Sequence, residues 1–240
     1  MIPKIVHYCW FGGNEMPDKV KRCMDSWHEN LPDYQFIEWN EKNFDVYSSA
    51  YVKEAYENKK YAFVSDVARA QALKEYGGIY LDTDVMVFQS FDKILDHRCV
   101  FGFEYGNWIA TSFMACEKNH PALDIFVSSY EGAHFMNADG TMNTTTNVQR
   151  LTHILEGRGL KRNNEKQEIQ DGIVIYPIEY FSPYDYVNCI MEKTDNSICA
   201  HLFFVSWMSK KEQTKKVVKG LISKTLGKNV LEKIRKNKEG

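Results

Sequence analysis

The sequence predicts an α/β fold: a mainly parallel central sheet flanked by helices, in a single domain with a basic C-terminal helix. Two observations carry this. Short apolar runs alternate with stretches of helical spacing through the first ninety residues, which favours parallel strands joined by helical crossovers. No repeat or linker interrupts the 240 residues, a length that suits one domain with a full core.

The elements follow in order. Residues 5–10 read as a strand, closed by the turn Phe11-Gly12-Gly13-Asn14. Pro17, at a first-turn position, opens a helix to residue 30. A strand over 34–39 precedes a mixed, mostly helical stretch over 41–58. A helix over 62–76 stops at Gly77-Gly78, where positive φ is cheap, and a strand over 79–88 follows. Strands are expected over 100–104 and 109–116, and helices over 121–130 and 145–157. A polar loop lies between the two helices at 132–143. The last strands are 173–176 and 199–205.

Composition narrows the function classes. Apolar residues make up 44% and charged residues 26%, ordinary for a globular protein, and no apolar run is long enough to span a membrane. The opening residues carry too short an apolar stretch for a signal peptide. Six cysteines fall singly, without CxxC spacing, and read as reduced, mostly buried thiols of a cytoplasmic protein. The net charge of −2 conceals an uneven distribution. Residues 208–240 hold eleven Lys/Arg against three Glu, whereas 1–207 is net acidic, which argues against nonspecific nucleic-acid binding. In the tail, Val218, Leu221, Ile222, Leu226, Val230 and Ile234 recur at spacings of three and four among lysines. Such a basic amphipathic helix either lies on an anionic membrane surface or packs on its own domain.

Residues 61–84, YAFVSDVARAQALKEYGGIYLDTD, are the most informative block. Apolar residues surround the axis of the helix, so it is expected to be deeply buried. Asp66 and Arg69, three residues apart, share one face of it, and buried charges persist only when paired or ligated. In the strand that follows, side chains two apart share a face, so Asp82 and Asp84 point to the same side with Tyr80 and Met86, about 6–7 Å apart. Two carboxylates so placed repel unless a cation lies near them. The spacing therefore points to a divalent metal site beyond the carboxyl end of a strand, where parallel sheets bind ligands.

Ser65, Asp66, Arg69, Leu73, Gly77, Gly78, Tyr80, Asp82 and Asp84 fit S-D-x-x-R-x-x-x-L-x-x-x-G-G-x-Y-x-D-x-D. This resembles the DXD sugar-nucleotide-binding region of glycosyltransferase family 32 proteins, the capsular polysaccharide and lipopolysaccharide type, and is similar to the catalytic domains of the large clostridial glucosylating toxins. Ile2-Pro3-Lys4-Ile5-Val6-His7 through Trp10-Phe11-Gly12-Gly13 resembles the family's opening strand and turn. His201 with Ser206-Trp207 resembles its closing element.

The resemblance implies a GT-A (Rossmann-like) catalytic domain over 1–207, followed by the tail over 208–240. It implies a retaining hexosyltransferase that uses Mn²⁺ or Mg²⁺ and a UDP-sugar, with a GDP-sugar possible, and a glycan or lipid-linked acceptor. Asp84 is then the direct metal ligand, with Asp82 and His201 beside it. Asp66 and Arg69 bond donor-sugar hydroxyls, and Trp10 stacks on the base. Ser65, Tyr80, Thr83 and Asn147 line the donor site, and Ser206 and Trp207 close over the diphosphate. Capping chemistry alone also explains Thr146-Asn147. The haloacid-dehalogenase phosphatase start fits 79–85 but meets Met86 where Thr or Val belongs. A non-catalytic sugar-nucleotide-binding protein and a toxin-like protein glycosyltransferase are the remaining alternatives.

Overall fold

The computed structural model describes residues 1–204; Ser206, Trp207 and the tail 208–240 lie outside the described residues. β1 (Ile5–Cys9) leads to α1 (Asp18–Asn30), β2 (Gln35–Trp39) and α2 (Ala50–Glu57). α3 (Tyr61–Tyr76) runs into β3 (Gly78–Leu81), and β4 (Val85–Val87) follows one turn later. β5 (Cys99–Glu104), β6 (Trp108–Ile109) and β7 (Phe113–Cys116) precede α4 (Pro121–Ser128) and α5 (Asn147–Glu156). β8 (Gln167–Ile169), β9 (Ile173–Tyr176) and α6 (Ile178–Phe181) come next. The hairpin β10 (Tyr184–Asp185) and β11 (Ile190–Met191) leads to β12 (Cys199–His201).

The central sheet has the order β2-β1-β3-β7-β5-β9-β8, with β6 paired to β5. β1 is parallel to β2 and β3, and β5 to β9, whereas β7 and β8 run against their neighbours. The expected mainly parallel sheet is present. Side-chain alternation splits its burial between two cores, as a sheet covered on both faces requires. Tyr80, Met114, Phe101 and Ile175 pack under α2, α3, α4 and α5. Ile79, Leu81, Phe113 and Val174 pack on the opposite face, with Trp27 of α1 and Phe181 of α6.

α3 ends as its glycines require. Gly77 and Gly78 have φ of 68° and 105°. A Cβ on Gly78 would lie 2.5 Å from the Ile5 carbonyl oxygen, so only glycine lets β3 start against β1.

Several expected boundaries are corrected. The strand over 79–88 is two strands, because Asp82–Val85 form a turn with a Val85 N–H to Asp82 carbonyl bond of 2.9 Å. β4 then leaves the central sheet and pairs with β12. Asp82 and Asp84 are therefore not placed by strand alternation. The 41–58 stretch is helical only in α2, the 109–116 strand breaks at Ala110–Ser112, and Pro17 is the N-cap residue of α1 rather than its first turn. Cys99 and Cys116, directly opposed in the β5–β7 register, are joined by a disulfide, so six reduced thiols is also corrected. No helix among the described residues is long and apolar enough to cross a membrane.

His120 caps α4: its Nδ1 accepts the Ala122 N–H at 3.2 Å, and its Nε2 faces the Asp171 carbonyl, also at 3.2 Å. Burial, then the charge of Arg98, pushes its pKa down to about 4, with Glu117 opposing. Between pH 6.5 and 4 the unfolded chain binds a proton that the folded chain refuses, so this contribution to stability is lost on acidification. Urea denaturation between pH 7 and 4.5 is expected to show stability falling with pH, and a shallower slope in His120→Asn. An equal slope in both proteins contradicts the assignment.

Candidate active site

The site grows from one buried charge. α3 is apolar on nearly every side, yet it buries Asp66 (8% exposed) and Arg69 (5% exposed) one turn apart. The Arg69 guanidinium spends its fork on four partners. Nη2 lies 3.2 Å from both Asp66 Oδ1 and Asp82 Oδ1. Nη1 donates to the Thr111 carbonyl at 2.7 Å, and Nε donates to the Ser65 carbonyl at 3.2 Å. Its plane lies over the Tyr80 ring, 4.5 Å from the centroid. Tyr80 in turn donates its hydroxyl to Asp82 Oδ1 at 2.9 Å, and the Asp82 N–H bonds the Ser112 carbonyl at 2.8 Å. Helix α3, the end of β3 and the β6–β7 loop are thus locked around one cation.

Asp84 has a different partner. Pairing of β12 with β4 sets His201 opposite Val85, and His201 Nε2 lies 3.1 Å from Asp84 Oδ1. The Phe204 N–H donates to Asp84 Oδ2 at 2.7 Å, and the Leu202 N–H to the Asp84 carbonyl at 2.9 Å. The turn aims both aspartates and the imidazole at one point: ligand atoms of Asp82, Asp84 and His201 lie within 4.8 Å of one another. His201 Nδ1 is buried with no hydrogen-bond partner among the described residues. Two carboxylates, one imidazole and an orphaned ring nitrogen fit a divalent ion of the Mn²⁺ type, which accepts mixed oxygen and nitrogen ligands.

The charges respond to one another. Burial works to raise the Asp84 carboxyl, but the charge and hydrogen bond of His201, with the Phe204 N–H, hold it below the ordinary range. Burial works to lower His201, but Asp84 foremost, then Asp82 and Glu104, raise it. Asp66 is pushed up to about 7 by burial, only partly offset by Arg69.

The other expected residues distribute unevenly. Asn147 sits beside Thr111: its Oδ1 accepts the Thr111 hydroxyl at 2.8 Å, and its Nδ2 is buried without a partner among the described residues. Ser65 turns its hydroxyl back to the Tyr61 carbonyl. Thr83 occupies the turn between the two aspartates. Trp10 lies at the ends of β1 and β2, where it lines a cavity of about 310 Å³ with Glu38, Asn40 and Glu41. Its Nε1 donates to the Asn14 carbonyl at 2.6 Å.

Two contributors escaped the sequence reading. The Thr111 carbonyl that holds Arg69 is backbone and leaves no sequence signal. Glu104 ends β5, and burial, moderated by the charge of His201, raises its carboxyl to about 7. A lone acid closing the apolar run CVFGF was the available clue.

The fold is that of the GT-A type, a sheet covered on both faces, and an Asp-x-Asp turn follows the end of β3. Residues 17–101 match the glycosyltransferase sugar-binding region containing the DXD motif. It is 30% identical over 126 residues to inositol phosphoceramide mannosyltransferase 3 of Schizosaccharomyces pombe, covering 51% of this chain and 35% of that protein. It is 26% identical over 228 residues to an uncharacterized glycosyltransferase of Acanthamoeba polyphaga mimivirus, covering 86% and 84%. The chain thus spans about a third of the first relative and most of the second. Among solved structures, a glycosyltransferase involved in glycosylation of the major capsid of PBCV-1 shares the fold, with a TM-score of 0.50, 14% identity, and 89% and 98% coverage.

Removing Arg69 would leave Asp66 buried without its counter-charge. Arg69→Ala is expected to cost about 3–5 kcal/mol in urea denaturation. Lysine cannot reproduce the fork, so Arg69→Lys is expected to recover little of this. A loss below about 1 kcal/mol would mean that Arg69 does not hold the site together.

Proposed function

We propose that the chain is a metal-dependent glycosyltransferase moving a hexose, with retention, from a nucleoside-diphosphate sugar to a hydroxyl of a glycan or lipid-linked acceptor. The observation that carries this is the convergence of Asp82, Asp84 and His201 within 4.8 Å at the end of β3. These three would hold Mn²⁺ or Mg²⁺, with Asp84 the direct ligand. Bound there, the ion supplies Lewis-acid stabilisation to the departing diphosphate.

The chain's own residues do the rest. Arg69 fixes the Asp82 carboxylate through Nη2. Asp66 and the Asn147 Nδ2, unpartnered among the described residues, supply an acceptor and a donor for hexose hydroxyls, with Ser65, Tyr80 and Thr83 around them. Trp10, at the cavity above β1 and β2, offers its ring to the base. By resemblance, Ser206 and Trp207 close over the diphosphate. The acceptor oxygen bonds the anomeric carbon on the face from which the phosphate oxygen leaves, and its proton passes to that oxygen.

A UDP-sugar is the first donor to test. The mannosyltransferase relatives add a mannosyl donor, and their inositol phosphoceramide names add a lipid-linked acceptor. The basic amphipathic composition of 208–240 supports a cytoplasmic enzyme that rests on an anionic membrane face.

Hydrolysis of UDP-glucose, UDP-galactose and GDP-mannose, assayed with Mn²⁺ and again with chelator, tests the reading. At least one donor is expected to turn over and to stop with chelator. Asp84→Ala is expected to lower that rate about a hundredfold or more, the equivalent of several kcal/mol of Lewis-acid stabilisation. Chelator-insensitive turnover, or a full rate in Asp84→Ala, contradicts it. A thermal shift with donor but no turnover favours a non-catalytic sugar-nucleotide-binding protein instead.

A further inference from the structure

We propose that Tyr105, Tyr186 and Glu104 form the acceptor subsite, which takes a pyranose ring of a glycan acceptor against the two aromatic faces with a ring hydroxyl on the carboxylate. This rests on the glycosyltransferase reading and extends it to the side of the site where no residue had been assigned.

Both rings face solvent, Tyr105 at 48% and Tyr186 at 38% exposure, although large aromatic side chains carry most of a core's burial. They meet edge to face at 5.5 Å. A chain of ring contacts ties them to the metal cluster: Tyr186 lies 4.6 Å from Phe203, and Phe203 stacks on His201 at 3.8 Å. His201 is the residue paired with Asp84. The platform therefore begins where the Asp82–Asp84–His201 cluster ends.

The loops that carry the rings are pinned. Next to Tyr105, Arg162 donates from Nη2 to the Gly106 carbonyl and from Nε to the Asn107 carbonyl, each at 3.0 Å. Asn107 Nδ2 returns a bond to the Arg162 carbonyl, and the Arg162 guanidinium covers Trp108 at 3.7 Å. Next to Tyr186, the Asp185 carboxylate accepts the N–H groups of Val187 and Asn188, both at 2.9 Å, and Asn188 Nδ2 at 2.6 Å. Exposed rings on rigid loops lose little freedom when a ligand arrives, which is how a binding surface keeps its affinity.

Glu104 supplies the polar half. Its carboxylate feels the charges of His201 and Asp82 and has no hydrogen bond or ion pair among the described residues. It adjoins Tyr105 in the chain, and its charge also reaches Tyr186. A pyranose presents one face of C–H bonds and a rim of hydroxyls. Aromatic faces beside a free carboxylate match that pattern, because they bury the apolar face and satisfy a hydroxyl at the same time.

Saturation-transfer NMR with methyl α-glucopyranoside, methyl β-galactopyranoside and methyl α-mannopyranoside tests this directly. The full chain is used with Mg²⁺, and with UDP, GDP or no nucleotide, so the glycoside carries the only pyranose in the tube. Irradiating aromatic protons is expected to transfer saturation to ring C–H protons of at least one glycoside. Tyr105→Ala and Tyr186→Ala are expected to weaken its binding at least tenfold, and Glu104→Gln severalfold, while Tyr186→Phe binds as the wild type does. Thermal shifts with Mn²⁺ and UDP-glucose or GDP-mannose are expected to be the same in the Tyr105 and Tyr186 variants as in the wild type and report the donor side separately. Signal with no glycoside, or signal unchanged in both alanine variants, overturns the subsite. Absence of any donor shift in the wild type sinks the glycosyltransferase reading instead, and the glycoside arm without nucleotide still decides whether the platform binds a pyranose.

Discussion

The Arg69 guanidinium is the constraint on which the rest of the site depends. It is a permanent charge on an apolar helix, and burying it is costly unless every donor finds a partner. Those partners come from three separated parts of the chain: Asp66 and Ser65 on α3, Asp82 after β3, and the Thr111 carbonyl before β7. Satisfying one cation thus fixes the helix against the sheet, sets the position of Asp82, and determines where the β6–β7 loop passes beneath it. Asn147 joins the same frame through the Thr111 hydroxyl.

A second pairing completes the site from far along the chain. β12 reaches back to β4 and delivers His201 to Asp84, so the two aspartates, one residue apart in the chain, belong to two charge systems. Asp82 is balanced by Arg69 and Asp84 by His201. That arrangement relieves carboxylate repulsion before any metal arrives. Because Asp84 favours protonation of His201 and a ligating imidazole must be neutral, metal binding there competes with that protonation. The spacing that first suggested a cation is therefore explained in part by Arg69, a cation the protein already supplies.

Much of the α/β framework was legible because apolar periodicity and glycine stops are local. α3 and its Gly77-Gly78 exit could be read residue by residue, and so could the buried Asp66–Arg69 pair. The Asp82–Asp84 turn could not, because an apolar sequence on either side of it looks like one continuous strand; only the departure of β4 toward β12 breaks it. The cross-strand partnership of Cys99 and Cys116 depends on register between β5 and β7, which no spacing along the chain encodes. Glu104, Tyr105 and Tyr186 were hidden for a similar reason. Each is unremarkable in its own segment, and their meaning comes from ring contacts across some eighty residues. The Asp82–Asp84 spacing pointed to the metal and the family resemblance to the sugar; the geometry supplied the partners that hold the ligands in place.

The central claim is that Asp82, Asp84 and His201 form one divalent-ion centre serving a nucleoside diphosphate. Electron paramagnetic resonance of free Mn²⁺, titrated into the protein with and without UDP or GDP, measures it most directly. One ion per chain is expected to leave the free signal, more tightly with the matching nucleotide. Asp84→Asn and His201→Ala are each expected to weaken that binding at least tenfold. Mn²⁺ uptake that is equal in the wild type and both variants, or no uptake with either nucleotide, would contradict the account.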